Sequence, residues 1–213
     1  MSKILYPAQR KYLEFHRKKE DKLIVEMEDF AEKHHIPILD WHSVEFVENL
    51  ILAHKPDRVL EIGTAIAYTT IRIARCLDKN SRIHSIEKST DNIKLALENI
   101  EKSGLDKKIK LIQGDALSIM PQMKKKYDFI FLDADKEDYK KLFDLSMLLL
   151  RKGGVIVIDN LLWHGYAAST SVPPKYKNST QHIREFNKIF ILQKNLHSMI
   201  IPIGDGLGFG IKK

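Results

Sequence analysis

The sequence predicts an α/β fold: a doubly wound, mostly parallel sheet of seven strands, with an antiparallel C-terminal hairpin and a helical N-terminal cap. Three observations carry that prediction. From Arg58 onward, short apolar runs alternate with amphipathic helical stretches, the grammar of βαβ units. Several of those runs are nearly continuous in Val, Ile, Leu and Phe, as strands covered on both faces require. Near the end, two strand-like runs flank Gly204-Asp205-Gly206, the composition of a hairpin turn.

The elements follow in order. Residues 8–35 are charge-dense, with Tyr12, Phe15, Leu23, Val25, Met27 and Phe30 at roughly helical intervals, and read as one or two amphipathic helices. Residues 43–54 form a further helix with Val44, Val47, Leu50 and Ile51 on its apolar face and Ser43 as N-cap. Lys55-Pro56-Asp57 breaks it. Strands are expected at 59–62, 83–86, 109–112, 129–132 and 155–158, with helices at 69–77, 91–102, 116–123 and 138–149 between them. Right-handed crossovers then make the sheet parallel. Residues 161–180, with Pro173-Pro174, read as a loop-like insert before a helix at 181–192 and hairpin strands at 198–203 and 207–211. The 213 residues suit one domain, with 1–56 as the cap and 57–213 as the core.

Composition narrows the function class. At 44% hydrophobic and 30% charged, the chain is too apolar for disorder and too polar for a membrane bundle. No run approaches 18 apolar residues, and the first 19 residues lack the apolar core of a signal peptide. The protein reads as soluble and cytoplasmic. Cys76 is the only cysteine, so no intrachain disulfide is possible, and it packs as a small hydrophobe. The net charge of +7 suggests a polyanionic partner. After residue 160, Lys175, Lys177, Arg184, Lys188, Lys194, Lys212 and Lys213 face only Glu185 and Asp205, which leaves that stretch at +5 and is expected to border the mouth of the site.

Glu61-Ile62-Gly63-Thr64 leaves the first strand and opens the first βα turn, where glycine lets the backbone turn sharply and approach a ligand. Of three glycines expected in a dinucleotide cradle only Gly63 is present, with Ala65 and Ala67 in the other places. That turn suits a ligand without phosphates, such as an adenosyl sulfonium. Glu87, 24 residues after Gly63 at the end of the second strand, is placed to accept from ribose hydroxyls. Asp115 ends the third strand, where a carboxylate meets an adenine amino group; each acid reads alternatively as a helix cap or turn carboxylate.

Strands four and five end in Asp133-Ala134-Asp135-Lys136 and Asp159-Asn160. Neighbouring strands bring Asp133, Asp159 and Asn160 to one edge, a hard oxygen set suited to Mg²⁺ and unsuited to zinc; solvated strand-end acids are the alternative. Lys136 is the candidate base, its pKa lowered by an adjacent cation and partial burial, with Asp135 opposing that shift.

These segments, together with Gly204-Asp205-Gly206-Leu207, resemble the class I, S-adenosylmethionine-dependent and cation-dependent O-methyltransferases of the catechol and caffeoyl-coenzyme A type, a Rossmann-like family. Within it, His34-His35-Ile36-Pro37-Ile38, Gly63-Thr64-Ala65-Ile66 and residues 201–207 look closest to the bacterial tRNA 5-hydroxyuridine methyltransferases. The resemblance implies an adenosylmethionine pocket from Leu39, Glu61, Gly63, Tyr68, Thr69, Glu87, Asp115, Ala116 and Asp133. It implies Mg²⁺, or Mn²⁺ or Ca²⁺, on Asp133, Asp159 and Asn160. Lys136 and Asp133 would act in catalysis, and the protein would be a homodimer. Ala67 departs from the family's usual glycine.

The expected activity is methyl transfer to the 5-hydroxyl of 5-hydroxyuridine at the tRNA wobble position, giving 5-methoxyuridine and a role in tRNA processing. Phosphates would meet the basic stretch, and Trp163, Tyr166 and Tyr176 would stack on an anticodon base or pack within the protein. The alternative acceptor is a small catechol-like or hydroxylated metabolite, because 5-hydroxyuridine and catechol both offer two adjacent oxygens to a metal. An NAD-dependent oxidoreductase and a silent RNA-binding relative are the other classes; the missing glycines oppose the first, and Lys136 with an intact metal set opposes the second.

Overall fold

The computed structural model describes residues 6–213. Three helices precede the sheet: α1 (Pro7–Phe15), α2 (Lys22–His34) and α3 (Trp41–His54). The charge-dense N-terminal stretch therefore resolves into two helices, separated where Asp21 caps α2 through Leu23 N and Ile24 N. The third helix starts earlier than its apolar pattern indicates. Asp40, not Ser43, is its N-cap, accepting from His42 N, so Trp41 and His42 belong to the first turn. Ser43 instead lies buried beneath the hairpin turn, where a Cβ on Gly204 would stand 2.1 Å from its Oγ.

The strands are β1 (Arg58–Ile62), β2 (Arg82–Glu87), β3 (Ile109–Gln113), β4 (Tyr127–Leu132), β5 (Leu150–Ile158), β6 (Leu196–Ile201) and β7 (Leu207–Lys212). Between them run α4 (Tyr68–Cys76), α5 (Thr90–Ser103), α6 (Ala116–Ile119), α7 (Tyr139–Leu149) and α8 (Lys177–Ile191). All seven strands join one sheet in the order β3-β2-β1-β4-β5-β7-β6. The first five are parallel, and β7 runs antiparallel to β5 and β6, as the hairpin predicts. Strand order reverses between β1 and β4, the switch point at which open α/β sheets bind ligands.

Alternation along each strand divides the core. Val59, Ile83, Phe129, Phe131, Val155 and Val157 face the layer of α2 to α5. Leu60, Ile62, Ile130, Leu132, Ile156 and Ile158 face α7 and α8, where Phe143, Phe186 and Phe190 pack edge-to-face and stacked. The helix expected at 116–123 is shorter: α6 ends at Ile119, because Pro121 follows and tightens Met120–Gln122 into a 3-10 turn. The insert also loses its last four residues to α8.

The N-terminal helices dock through charge. Arg72 of α4 is 3% exposed; its guanidinium bonds Glu48 at 2.7 and 2.9 Å and pairs with Glu20 at 2.8 Å. Arg72 also donates to the Tyr68 hydroxyl at 3.1 Å, which in turn donates to Glu28 at 2.5 Å, and Glu28 holds Arg17 at 2.6 Å. α1 has no buried residue of its own and is secured by this network at its C-terminal end.

Candidate active site

One row of backbone hydrogen bonds sets the site. Gly114 N donates to Glu87 O, Gly63 N to Ile86 O, Asp133 N to Ile62 O and Asp159 N to Leu132 O, at 2.8 to 3.0 Å. The ends of β1 to β5 are thereby held side by side, and their acids share a single edge. Gly63 makes this possible: its φ is +95°, and a Cβ there would lie 1.7 Å from the Asp133 carbonyl oxygen. The following Ala65 and Ala67 take left-handed φ of 47° and 68°, and Ala67 is fully buried as the N-cap of α4. Alanine thus replaces the family's glycine here by accepting a conformation that costs about 1 kcal/mol.

Glu87 is 8% exposed and anchored by three backbone donors: Ala65 N at 2.8 Å, Lys88 N at 3.0 Å and Ser89 N at 2.9 Å. Asp115 caps α6 and accepts from Ser118 Oγ at 3.0 Å. Both line a cavity of about 560 Å³ with Gly63, Ala116, Asp133, Lys136, Asp159 and Asn160. Four other residues assigned to the cofactor from sequence are not on its wall. Glu61 is fully buried behind the turn, its Oε2 accepting from Ser85 Oγ at 2.5 Å and from Thr70 Oγ1. Tyr68 faces Glu28 and Arg72, Thr69 is buried in α4, and Leu39 packs in the core between α2 and α3.

A second cavity, about 640 Å³, lies on the other side of Asp159, Asn160 and His164, which line both. Its remaining wall comes from α1 and α3 (Arg10, Leu13, Glu45, Phe46) and from the hairpin turn at Pro202 to Asp205. The two chambers meet at the residues expected to hold a metal.

Electrostatics at that junction are strained. Asp159 is 5% exposed, and its Oδ1 is buried without a hydrogen-bond partner. Burial first, then the nearby Asp133 charge, push its pKa up, against the pull of Lys136. Burial also raises Asp205, although His164 N donates to it at 2.6 Å. Asn160, at φ 62°, gives its amide nitrogen to Asp205 at 3.3 Å, which leaves the amide oxygen as the free acceptor. Among the described residues no three His, Cys, Asp or Glu side chains gather as a metal cage. The set is instead two carboxylates and one amide, and an orphaned buried carboxylate oxygen beside a second carboxylate fits a hard divalent cation.

Lys136 does not lie free. Its ammonium donates to Asp133 Oδ1 at 3.1 Å, Ala134 O at 2.9 Å and Tyr139 Oη at 2.7 Å, which uses all three protons. Burial favours the neutral amine, but Tyr139, Asp133 and Asp159 outweigh it and raise the pKa. Tyr139 passes the chain on to the Asp159 carbonyl at 3.0 Å. Tyr139, His164 and Asp205 were not marked from sequence as site residues. Gly204-Asp205-Gly206 signalled a turn and a segment of the resemblance, but nothing in the spacing of Asp205 from Asn160 shows that they meet.

The insert is bound to α8 by Arg184, which donates to the Ala167 carbonyl at 3.0 Å, the Tyr166 carbonyl at 2.9 Å and the Ser169 carbonyl. Tyr166 and Tyr176 stack on each other at 5.3 Å and line neither chamber, whereas Trp163 lines the first. The expected basic rim is also dispersed. Lys212 donates to the Met147 and Leu150 carbonyls at the opposite edge of the sheet, near Lys213 at the end of β7.

A family model described as O-methyltransferase matches residues 14–213. This chain belongs to that family. The caffeoyl-CoA O-methyltransferase of Populus kitakamiensis is 31% identical to it over 170 residues, 76% of this chain and 72% of that protein. Tapetum-specific methyltransferase 1 of Arabidopsis thaliana is 33% identical over 168 residues, with the same coverage. An O-methyltransferase from Bacillus cereus, solved in complex with SAH, superposes with a TM-score of 0.84 at 27% identity, covering 97% of each chain. The O-methyltransferase described here is an S-adenosylmethionine-dependent enzyme with a Rossmann-like fold. None of its described helices is long and apolar enough to cross a membrane.

Proposed function

We propose that this O-methyltransferase transfers a methyl group from S-adenosylmethionine to a hydroxyl of a small acceptor bearing two adjacent oxygens, a catechol-like compound, with a divalent cation bound at Asp133, Asp159 and Asn160. The observation that carries this reading is the pair of chambers sharing Asp159, Asn160 and His164. The glycine-turn chamber takes the donor and the α1–α3 chamber the acceptor. The relatives named as caffeoyl-CoA O-methyltransferases support the small-acceptor reading. The acidic edge supports it too, since Glu87, Asp115, Asp133, Asp159 and Asp205 would repel an incoming phosphate backbone.

The chain's own residues align the reactants. Glu87, fixed by three N–H donors, accepts from vicinal ribose hydroxyls, and Asp115 reaches the nucleoside base from the neighbouring strand end. Gly63 keeps the turn close to Asp133, so donor and acceptor are held on either side of one carboxylate row; in-line displacement depends on such alignment. The cation would supply Lewis acidity, lowering the pKa of the acceptor hydroxyl. Lys136, held cationic against Asp133, stabilises negative charge developing beside it.

The test is methyl transfer from labelled S-adenosylmethionine to 3,4-dihydroxybenzoate or caffeate, run beside hydroxyuridine-containing tRNA. Turnover of the catechol that requires Mg²⁺ and is lost in Asp159→Ala is the expected outcome. Turnover of tRNA alone would restore the wobble-uridine reading, and turnover indifferent to EDTA would remove the metal from it.

A further inference from the structure

The chain's positive charge gathers at the edge of the sheet opposite the catalytic one. The five parallel strands all begin there, β6 begins there and β7 ends there. Residues 55–58, 77–82, 105–110, 123–128, 150–154, 193–196 and 212–213, which enter or leave the strands at that edge, carry fifteen Lys and Arg against four Asp. Their net +11 exceeds the +7 of the whole protein, so the remainder is negative.

Sheet order turns these segments into a line. Across β3, β2, β1, β4, β5 and β7 stand Lys108, Arg82, Arg58, Lys126, Arg151 and Lys213, with Arg58 directly opposite Arg82 in register. At about 4.8 Å per strand the line runs roughly 24 Å. The cations are close enough to act together: Lys110, Lys125 and Arg58, after burial, depress the pKa of His84, and Lys126 depresses that of Lys212. Asp128 pairs with Arg151 and accepts from Arg58 N, so at β5 the exposed Lys152 carries the line's charge.

We propose that this edge is a docking surface for the phosphate backbone of an RNA, separate from the methyl-transfer site. A line of cations tracks a linear polyanion better than it matches the plane of a bilayer. The segments' single aromatic, Tyr127, is 1% exposed, and the exposed apolar side chains beside them, Leu148 and Leu192, belong to separate helix ends. With no ring available for base stacking, contacts are limited to phosphates, and binding is independent of sequence. The inference does not rest on the acceptor reading, because its readout is RNA binding rather than turnover.

The experiment is fluorescence anisotropy with a labelled single-stranded oligouridylate of about 20 nucleotides, titrated with the full chain between about 50 and 200 mM salt. Reversing three exposed cations together (Lys110→Glu, Lys124→Glu, Lys125→Glu) is expected to weaken binding at least about tenfold and to reduce the log K against log salt slope by about 2, the share of three phosphate contacts. Lys175→Glu, Lys177→Glu and Lys188→Glu together, outside this edge, should leave both unchanged. The milder pair Lys124→Ala and Lys125→Ala serves if the triple variant unfolds, which its urea midpoint and SAH binding by calorimetry report. Equal binding by wild type and edge variants overturns the proposal. Loss confined to the second set, absence of any salt-dependent RNA binding, or capture by phosphatidylserine vesicles in preference to the oligonucleotide does the same.

Discussion

Replacing Glu61 with glutamine should flatten the dependence of folding stability on pH. Glu61 leaves β1 fully buried, with Ser85 and Thr70 donating to Oε2 and no partner on Oε1. Burial raises its pKa from 4.5 to about 8; the hydroxyl bonds pull it down, and Asp133 and Glu87 push it further up. The folded state therefore binds this proton more tightly than the unfolded chain does. Its stabilising effect is complete below pH 4.5 and is lost as pH rises through that window to about 8. At about 1.4 kcal/mol per unit, the wild type should lose about 3 kcal/mol between about pH 5.5 and 8 from this residue. Glutamine keeps an oxygen for Ser85 and Thr70 and carries no charge at either pH. Urea denaturation of the metal-free protein across that range measures the effect. Wild-type and Glu61→Gln curves that run parallel would refute the reasoning, since the carboxyl would then titrate alike in both states.

Gly63→Ala places a methyl 1.7 Å from the Asp133 carbonyl oxygen on a backbone that disfavours side chains, so it should cost about 3 kcal/mol or more by urea denaturation and abolish SAH binding by calorimetry. Arg72→Ala leaves Glu48 without its cation and Glu20 and Glu28 with Arg17 alone, and should cost about 3 kcal/mol, with faster proteolysis around residues 16–21. For the metal set, saturating Mg²⁺ at about 100 times its dissociation constant should stabilise the wild type by about 2.7 kcal/mol in a thermal-shift titration. Asp159→Asn should lose most of that shift while remaining folded.

The sheet was readable because its strands carry their signal in uninterrupted runs: Phe129 to Leu132 and Val155 to Ile158 have no other stable place than a sheet covered on both faces. Helix starts were less readable where the cap precedes the apolar pattern. Trp41 and His42 gave no periodic signal, so the true cap at Asp40 was displaced to Ser43. At the site, the acids ending β2 to β5 were legible from βα grammar alone. The role of Glu61 was not, because alternation decides it: Leu60 and Ile62 face α7, so Glu61 must face α4 and lie behind the turn rather than in the chamber. Charge misled most. Lys194, Lys212 and Lys213 follow Asp159-Asn160 in a count along the chain, yet the start of β6 and the end of β7 place them at the far edge of the sheet. Arg184 spends its guanidinium on carbonyls.

That arginine has a consequence for the segment that brings Trp163 and His164 to the chambers. Residues 161–176 contain no strand and no helix longer than a 3-10 turn, so some of their carbonyls take donors from outside the segment. One guanidinium on α8 gathers three of them. Part of the loop's shape is thus enforced from outside by a rigid helix, while Leu161 in the core and the Tyr166–Tyr176 stack hold the rest. Loss of Arg184 would free the Tyr166, Ala167 and Ser169 carbonyls at once, while Leu161 and Leu162 stay tied to the hairpin turn through the Gly206 and Asp205 carbonyls. Change on such a loop reaches both chambers through His164 and the first through Trp163, while the backbone row from Gly114 to Asp159 stays unchanged.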